Sequence, residues 1–582
     1  MPELIATRRF VLRLLLACSC PPLVASAQTP TTYYVRPDGG TAKQCTGKAD
    51  APYAGKGNNQ PCAWSELSWA LKTPTEWRIS GGDRLLVAPG SYRMGRGGKK
   101  SGWDIFPPDE IMSSHVYLPP LLSGPNADTP TILAGSGYES GCPQKPELWG
   151  ALGTDHVLDL SGTSNALLAC LEITDHATCA ANHPTLKCGP GDEAAGLGIY
   201  AKDEHGTNIV LRDLDIHGLA GTGINGRFAS VVLENVTLAG NGMSGWNADL
   251  GDGVKYTTTV RMDHSTVEWN GCVEDSKTRQ IAPAGCYGEL QGGYGDGIGT
   301  STHGGSWTVT HSTFRYNTQD GLDLLYLSLP GSKVVVDGCT AYGNAGNQIK
   351  VRGEATITNN VIIANCSFFD GKPFSMLQGY FWEDKDDFHT AGNCRANGDA
   401  LTTTVLGGSH SQIVNNTIVG EGDFLMWVGC DPCHDPATVE ISNNILRGFR
   451  RVGQFRDKEL GRSGNLVGSL FLGAGIAWSI HHNLLFNLDI GYPTQMPGAP
   501  PDEIEFKNLQ AHCPIGPGDV CADPLFVNDV LSEKFDGRLQ AGSPAIHAGV
   551  SIGNVVTDHD GRPRPQGAAY SLGAFEPAEA KR

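Results

Sequence analysis

Three segments between residues 292 and 353 decide the reading of the chain: GGYGDGIGT (292–300), VTHSTFRYNTQDGLDLLYL (309–327) and VVVDGCTAYGNAGNQIKVRG (334–353). Laid over one another, they put Asp296-Gly297-Ile298-Gly299, Asp320-Gly321-Leu322-Asp323 and Asn347-Gln348-Ile349-Lys350 in one frame. Thr222-Gly223-Ile224-Asn225 and Asp252-Gly253-Val254-Lys255 fit the same frame earlier in the chain. Around it runs a wider repeat: a short apolar strand, an Asp, Asn or His turn, an aliphatic pair, then a Gly/Asn turn. Examples are LRDLDIHG (211–218), LENVTLAGNG (233–242), ISNNILRG (441–448) and IHHNLLFN (480–487). Uninterrupted spacings of 22–29 residues suit a coil of three short strands. Helical repeats have a different period, so the pattern predicts an all-β solenoid, a parallel β-helix. The recurrent Asn-Asn turns predict side-chain amides stacked coil upon coil, each bonding its neighbours' backbone.

Composition agrees. The chain has 582 residues, 76 of them glycine, with 18% charged, which suits many short strands and tight turns. A formal net charge of −18 argues against nucleic acid as a partner, and an anionic ligand then needs a local cation. Residues 1–27 read as an export signal: Arg8-Arg9, the apolar run from Phe10 to Ala17, and Ala25-Ser26-Ala27 as a small-residue cleavage site. Thr7-Arg8-Arg9-Phe10-Val11-Leu12-Arg13 resembles a twin-arginine signal and Leu15-Leu16-Ala17-Cys18, more loosely, a lipoprotein box. No later run is apolar enough to span a membrane. A secreted or periplasmic bacterial protein, exported by the Sec or twin-arginine route and monomeric, is expected. Of 17 cysteines, 15 lie beyond the signal; Cys45/Cys62, Cys179/Cys188, Cys272/Cys286, Cys513/Cys521 and Cys430/Cys433 read as loop disulfides, with at least one thiol left over.

After the signal, residues 28–84 read as an N-terminal strand and a capping helix, with Trp64, Leu67, Ala70 and Leu71 at helical spacing. The β-helix is expected over 85–500, its catalytic face near 250–353, and residues 501–582 close it. Insertions at 271–292, 370–410 and 490–520 interrupt the repeat; the second carries Tyr380-Phe381-Trp382 and an acidic run suited to the wall of a groove. The segments Asp523-Pro524-Leu525-Phe526, Leu539–Ile546, Asp558–Arg564 and Leu572–Glu576 resemble the terminal region of many secreted bacterial right-handed β-helix proteins. That implies a right-handed parallel β-helix.

Parallel strands stack about 4.8 Å apart, so Asp296, Asp320, Asp323 and Lys350 are expected within two rungs on one outer face. This set resembles polysaccharide lyase family 9, the β-helical pectate lyases. In that family an Asp-Gly rung, an Asp-Asp-Gly-Phe-Asp motif one rung later and a Gly-Phe-Lys-Leu-Gly-Gly-type strand build a calcium site and a catalytic lysine. The resemblance implies Ca²⁺ held by Asp296, Gln319, Asp320 and Asp323, with Lys350 as catalytic base and an acidic polysaccharide as substrate. Gln319 departs from the pattern, standing where the family has the first aspartate of a pair; its amide oxygen still ligates, with one negative charge fewer. Carboxylates suit a hard cation. The chemistry is β-elimination across C4–C5 of a uronic acid, in which a cation neutralises the substrate carboxylate and a lysine of depressed pKa takes the C5 proton. Arg352, two residues on and on the same strand face, suits a substrate carboxylate, and Lys255 in the earlier rung is a further subsite contact. His217, His264, His303 and His311, in or near turns, read as structural or exposed. Two other classes fit the fold: a β-helix glycoside hydrolase, which uses a carboxylate pair and has no task for Lys350, and a non-catalytic carbohydrate-binding or adhesive surface protein.

Overall fold

The computed structural model of the protein describes residues 29–95, 118–150, 154–180, 186–189, 194–287, 295–369, 398–421, 424–449, 469–493, 504–508 and 513–577. The expected signal, the Tyr380–Trp382 run and its acidic neighbours lie outside them.

Three long sheets, of 13, 12 and 12 strands, form the molecule, and each strand pairs with the corresponding strand one coil away. All the pairings along these stacks are parallel save that of the last strand of the third sheet, Ile504–Asn508, which runs antiparallel to Asp489–Pro493. The chain thus winds as a right-handed parallel β-helix. Strands are short because each coil turns three corners, and the inward positions stack into continuous apolar columns. One such column runs Ile209, Val231, Val260, Trp307, Val334, Ala355, all buried. Outward neighbours alternate with them, as in Tyr256–Asp263, where Tyr256, Thr258, Val260 and Met262 are buried and Thr257, Thr259 and Arg261 face water.

The corners carry the register. From Ala166–Ala169 onward each strand of the first sheet is followed by a left-handed turn residue, and from Tyr256–Asp263 onward the next residue turns inward a side chain that bonds the next coil. The Asn360 N–H donates to Asn416 Oδ1 at 2.9 Å, the Asn416 N–H to Asn444 Oδ1 at 2.9 Å, and the Asn444 N–H to Asn483 Oδ1 at 3.0 Å. Asp519 Oδ1 ends the ladder, accepting the Asn483 N–H at 2.8 Å. Toward the N-terminus serine and cysteine take the same place: the Ser265 N–H donates to Ser312 Oγ, and the Ser312 N–H to Cys339 Sγ. Cys339 is the buried free thiol among the described residues. A second ladder, Asn241, Asn270, Asn317, Asn344, runs along the corner between the second and third sheets and ends on Gln348. The expected amide stacking is therefore present.

Two boundaries differ from the expectation. The stack begins with Thr32–Gly40, which pairs in parallel with Arg84–Val87, so the coil starts well before residue 85. The expected capping helix is a single 3-10 turn, Leu67–Ala70, followed at once by the strand Leu71–Thr73. Trp64, Leu67, Ala70 and Leu71 are all buried, and their spacing came from a chain entering the core, not from a helix face. The C-terminal segment does more than close the last coil. After Val520 bridges to Leu484, it folds back along the corner between the first two sheets. There Arg564 donates to Asn359 Oδ1 at 3.0 Å and Asn415 donates to the Ser571 carbonyl at 3.2 Å. Among the described residues six disulfides are formed, including all five expected pairs and Cys142–Cys170.

The ladder should be the costliest place to touch. Asn416→Ala takes from the buried Asn360 N–H its side-chain acceptor and from the Ile357 carbonyl its amide donor, an expected loss of about 2–4 kcal/mol, measurable by denaturant unfolding. Thr257→Ala, on an exposed strand position, should stay within about 0.5 kcal/mol of wild type.

Candidate functional site

The third sheet carries the candidate site. Its strands Ile298–Gly299, Leu322–Leu324 and Ile349–Arg352 lie side by side, with Ile298 opposite Leu322, Leu322 opposite Ile349, and Asp323 opposite Lys350. The aliphatic residues point into the core and the neighbours Asp323 and Lys350 point out. Two residues before each aliphatic position comes the turn, and here a third ladder appears. Asp296 Oδ1 accepts the Asp320 N–H at 3.0 Å, Asp320 Oδ1 accepts the Asn347 N–H at 2.6 Å, and Asn347 Oδ1 accepts the Asp399 N–H at 2.8 Å. Asp399 Oδ1 accepts the Phe424 N–H at 3.1 Å.

Asp296 and Asp320 are therefore not on an open outer face: they are 3% and 2% exposed. Each commits one oxygen to the backbone of the next coil. The other oxygen of Asp320 meets Lys350, whose Nζ donates to Asp320 Oδ2 and Asp323 Oδ2, both at 3.0 Å. Asp323 Oδ1 in turn accepts the Leu325 N–H at 2.7 Å. Glycines make room for this cluster. A Cβ on Gly299 would lie 2.8 Å from Asp296 Oδ2, and one on Gly346 would lie 2.3 Å from Asp320 Oδ1 and 2.9 Å from Gln319 Oε1. Gln319, also buried, thus turns its amide oxygen to the same spot as Asp320.

The electrostatics follow from burial. Loss of water, with the charges of Asp320 and Asp323 adding to it, holds Asp296 well above the usual carboxylate range. Burial likewise raises Asp320 to about 6, although Lys350 pulls the other way. At Lys350 burial works to discharge the ammonium, but Asp320 and Asp323 outweigh it, and the amine titrates above its ordinary value. The expectation of a lysine that loses its proton readily is thus reversed while these carboxylates face it.

The donor chemistry, three carboxylates and an amide oxygen, suits a hard cation. The convergence is not there, however: among the described residues, three ligand atoms gather within 4.8 Å of one another only at Asp263/His264/His311 and at Glu172/Asp215/His217. Lys350 stands between Asp320 and Asp323 where an ion would have to sit.

Two expected binding residues are placed differently. Lys255 lies in an exposed loop ahead of the strand Tyr256–Asp263. The rung that precedes Ile298 is Ser244–Asn247, with Trp246 opposite Ile298 and Asn247 opposite Gly299, so Asn247 takes the column assigned to Lys255. Arg352 shares the outward face of Lys350 but is engaged: its Nη2 donates to the Asp431 carbonyl at 2.9 Å and to Asp431 Oδ2 at 2.8 Å. The sequence reading also passed over Trp427, half-buried in the outward column two coils on, where Lys350 pairs with Thr402 and Thr402 with Trp427. This aromatic lies about 10 Å from Lys350 along the stack, and its signal was the alternation in Met426–Cys430.

Lys350→Met tests the coupling. Asp320 titrates near about 3.9 in an unfolded chain and about 6 in the fold, so its ionisation costs stability as pH rises through that window. Removing the ammonium raises Asp320 further. The variant should lose about 3 kcal/mol at pH 8, and the deficit should shrink toward pH 5 as Asp320 takes up a proton. Equal deficits at both pH values in denaturant unfolding would disprove the ion pair.

Comparison with known proteins places this geometry in its fold. A family model described as right handed beta helix region matches residues 192–418 and 296–454. Comparison with curated proteins gave no match. Among solved structures, pectate lyase Pel9A is 16% identical with a TM-score of 0.39, covering 94% of this chain and 96% of its own. The Azotobacter vinelandii mannuronan C-5 epimerase AlgE6 A-module is 13% identical with a TM-score of 0.32, over 72% of this chain and 91% of its own. A rhamnogalacturonan lyase is 12% identical with a TM-score of 0.32, over 57% and 82%. The chain is similar to the right-handed β-helix family over its central coils.

Proposed function

We propose that the protein is a secreted or periplasmic carbohydrate-active enzyme, a polysaccharide lyase that cleaves a pectate-like polyuronate by β-elimination. The observation that carries this reading is the Lys350 amine held 3.0 Å from both Asp320 and Asp323 on the outward column of the third sheet. The disulfides support an oxidising compartment, and no helix among the described residues is long and apolar enough to cross a membrane.

In the proposed reaction, Lys350 takes the C5 proton of a uronate, the C5–H electrons form the C4–C5 double bond, and the C4–O bond breaks, its electron pair leaving with the sugar oxygen, which takes a proton from water. The substrate chain lies along the stack, with a ring over Trp427. Arg352 receives a substrate carboxylate, which replaces that of Asp431; the latter side chain is 68% exposed, so its pair is cheap to open. Calcium would neutralise the carboxylate next to C5 and stabilise the charge that develops there; Asp296, Gln319, Asp320 and Asp323 would hold it only once the Lys350 ammonium has left its place between Asp320 and Asp323. Lys350 accepts a proton only when its amine is neutral, so with Asp320 and Asp323 holding it charged the rate should rise with pH.

The test is a panel of polyuronates with and without chelator, read by the near-ultraviolet absorbance of unsaturated products. Wild type should release them, faster at alkaline pH and only when calcium is supplied. Lys350→Ala and Lys350→Arg should each lose at least about 100-fold, because a guanidinium stays protonated. Reducing ends without unsaturation would instead indicate a hydrolase, and binding without turnover a non-catalytic surface protein. An Arg variant with most of the wild-type rate would reduce Lys350 to a binding charge.

A further inference from the structure

The left-handed turn after each strand of the first sheet is held by Asn235, Gly338, Asn359 and Asn415 in most central coils, but by His264 and His311 in two successive ones. Coil stacking brings these imidazoles together, with ring centroids 4.9 Å apart and planes 23° from parallel. Asp263, the last residue of its strand and opposite Thr310, reaches both rings. Its Oδ2 lies 3.0 Å from His264 Nδ1, and its Oδ1 lies 3.1 Å from His311 Nδ1. One ligand atom from each of the three residues falls within 4.8 Å of the others. The two N···O distances are hydrogen-bond lengths, and Thr310 Oγ1 also donates to Asp263 Oδ1 at 2.6 Å, but three ligand atoms this close are within reach of one ion with bonds of about 2.0–2.2 Å.

The surroundings favour a ligand. The cluster opens on a cavity of about 430 Å³, lined also by Ser312, Thr340, His559 and Asp560 from the C-terminal segment, with room for water on the metal. Both imidazoles are well exposed, so an ion reaches them without unfolding anything. The second three-ligand cluster of the molecule shows the contrast. At Glu172, Asp215 and His217, the Arg279 guanidinium lies 3.2 Å from Glu172 and 3.0 Å from Asp215. His217 is flanked by Glu172 and Glu274 at 3.0 Å each. Arginine already neutralises those acids, and no cation is needed. Among the described residues no arginine pairs with Asp263, whose ionic partners are His264 and His311.

We propose that Asp263, His264 and His311 bind one divalent ion of the zinc, nickel or copper class at the mouth of this cavity. Imidazole nitrogen with a single carboxylate selects these borderline ions over calcium. The ion clamps two successive coils together where the C-terminal segment packs against them, on a different corner from the Lys350 face.

The experiment titrates Zn²⁺ into the untagged full-length protein after chelator dialysis, with calorimetry for stoichiometry and melting for linkage. Wild type should take up one equivalent, and its melting temperature should rise with zinc. His264→Ala/His311→Ala, whose side chains are 65% and 46% exposed in the parent, should fold normally by circular dichroism. This variant should bind that equivalent at least about tenfold more weakly and lose the zinc-dependent rise. His410→Ala, an exposed histidine elsewhere, should keep both. A double variant that binds zinc like wild type, or a wild type that binds none, would overturn the proposal.

Discussion

A side-chain oxygen that accepts the backbone N–H of the equivalent residue one coil away is the contact on which this structure depends. Most strands have only two to five residues and make too few ladder bonds to fix their own register, and each corner exposes backbone groups to a dry interior. Asparagine at a corner answers both needs: its oxygen satisfies the neighbouring N–H, and its amide returns to a carbonyl of the strand below. Because the bond links equivalent residues, it also sets the rotational phase of one coil on the next. Every apolar column and every outward column inherits that phase, including the one that faces Asp323 toward Lys350.

The same device places the carboxylates of the candidate site. Asp296 and Asp320 sit where Asn347 and Asp399 sit in later coils, and all four use Oδ1 in the same way. An aspartate in this position differs from an asparagine only at its second oxygen, which carries charge in place of an amide. That charge is costly in a buried corner and needs a counter-ion. Lys350 supplies one from the outward column of the adjacent strand. Structure and chemistry thus share one side chain, through different atoms.

Much of this was legible in the residues. The period, the Asn-Asn corners and the alignment of Ile298, Leu322 and Ile349 all follow from spacing, and so does the meeting of Asp320, Asp323 and Lys350. The false rung at Asp252–Lys255 arose because an exposed loop repeats the Asp-Gly-aliphatic pattern, while the true rung, Ser244-Gly245-Trp246-Asn247, fills its corner without an acid. Periodicity could not separate these, since both are turn sequences. The protonation of Lys350 was misread because the sequence tells which charges lie near, but not that the nearest atoms are carboxylate oxygens within hydrogen-bond reach. The fold-back of the C-terminal segment rests on contacts between residues more than 150 apart, such as Asn415 with Ser571, and no local pattern encodes them.

A cation offered to this site would meet a competitor in Lys350. When all are ionised, three carboxylates against one ammonium leave two negative charges in a poorly solvated corner, the charge that one divalent ion cancels. Yet Asp320 has a single oxygen free of the ladder, and Lys350 holds it. An ion that binds there competes with the ammonium for that oxygen and for Asp323 Oδ2. Once displaced, the amine loses the two contacts that keep it charged and stands beside a cation, and both changes lower its pKa. Cation binding and lysine deprotonation are then one coupled equilibrium, so each should strengthen as pH rises.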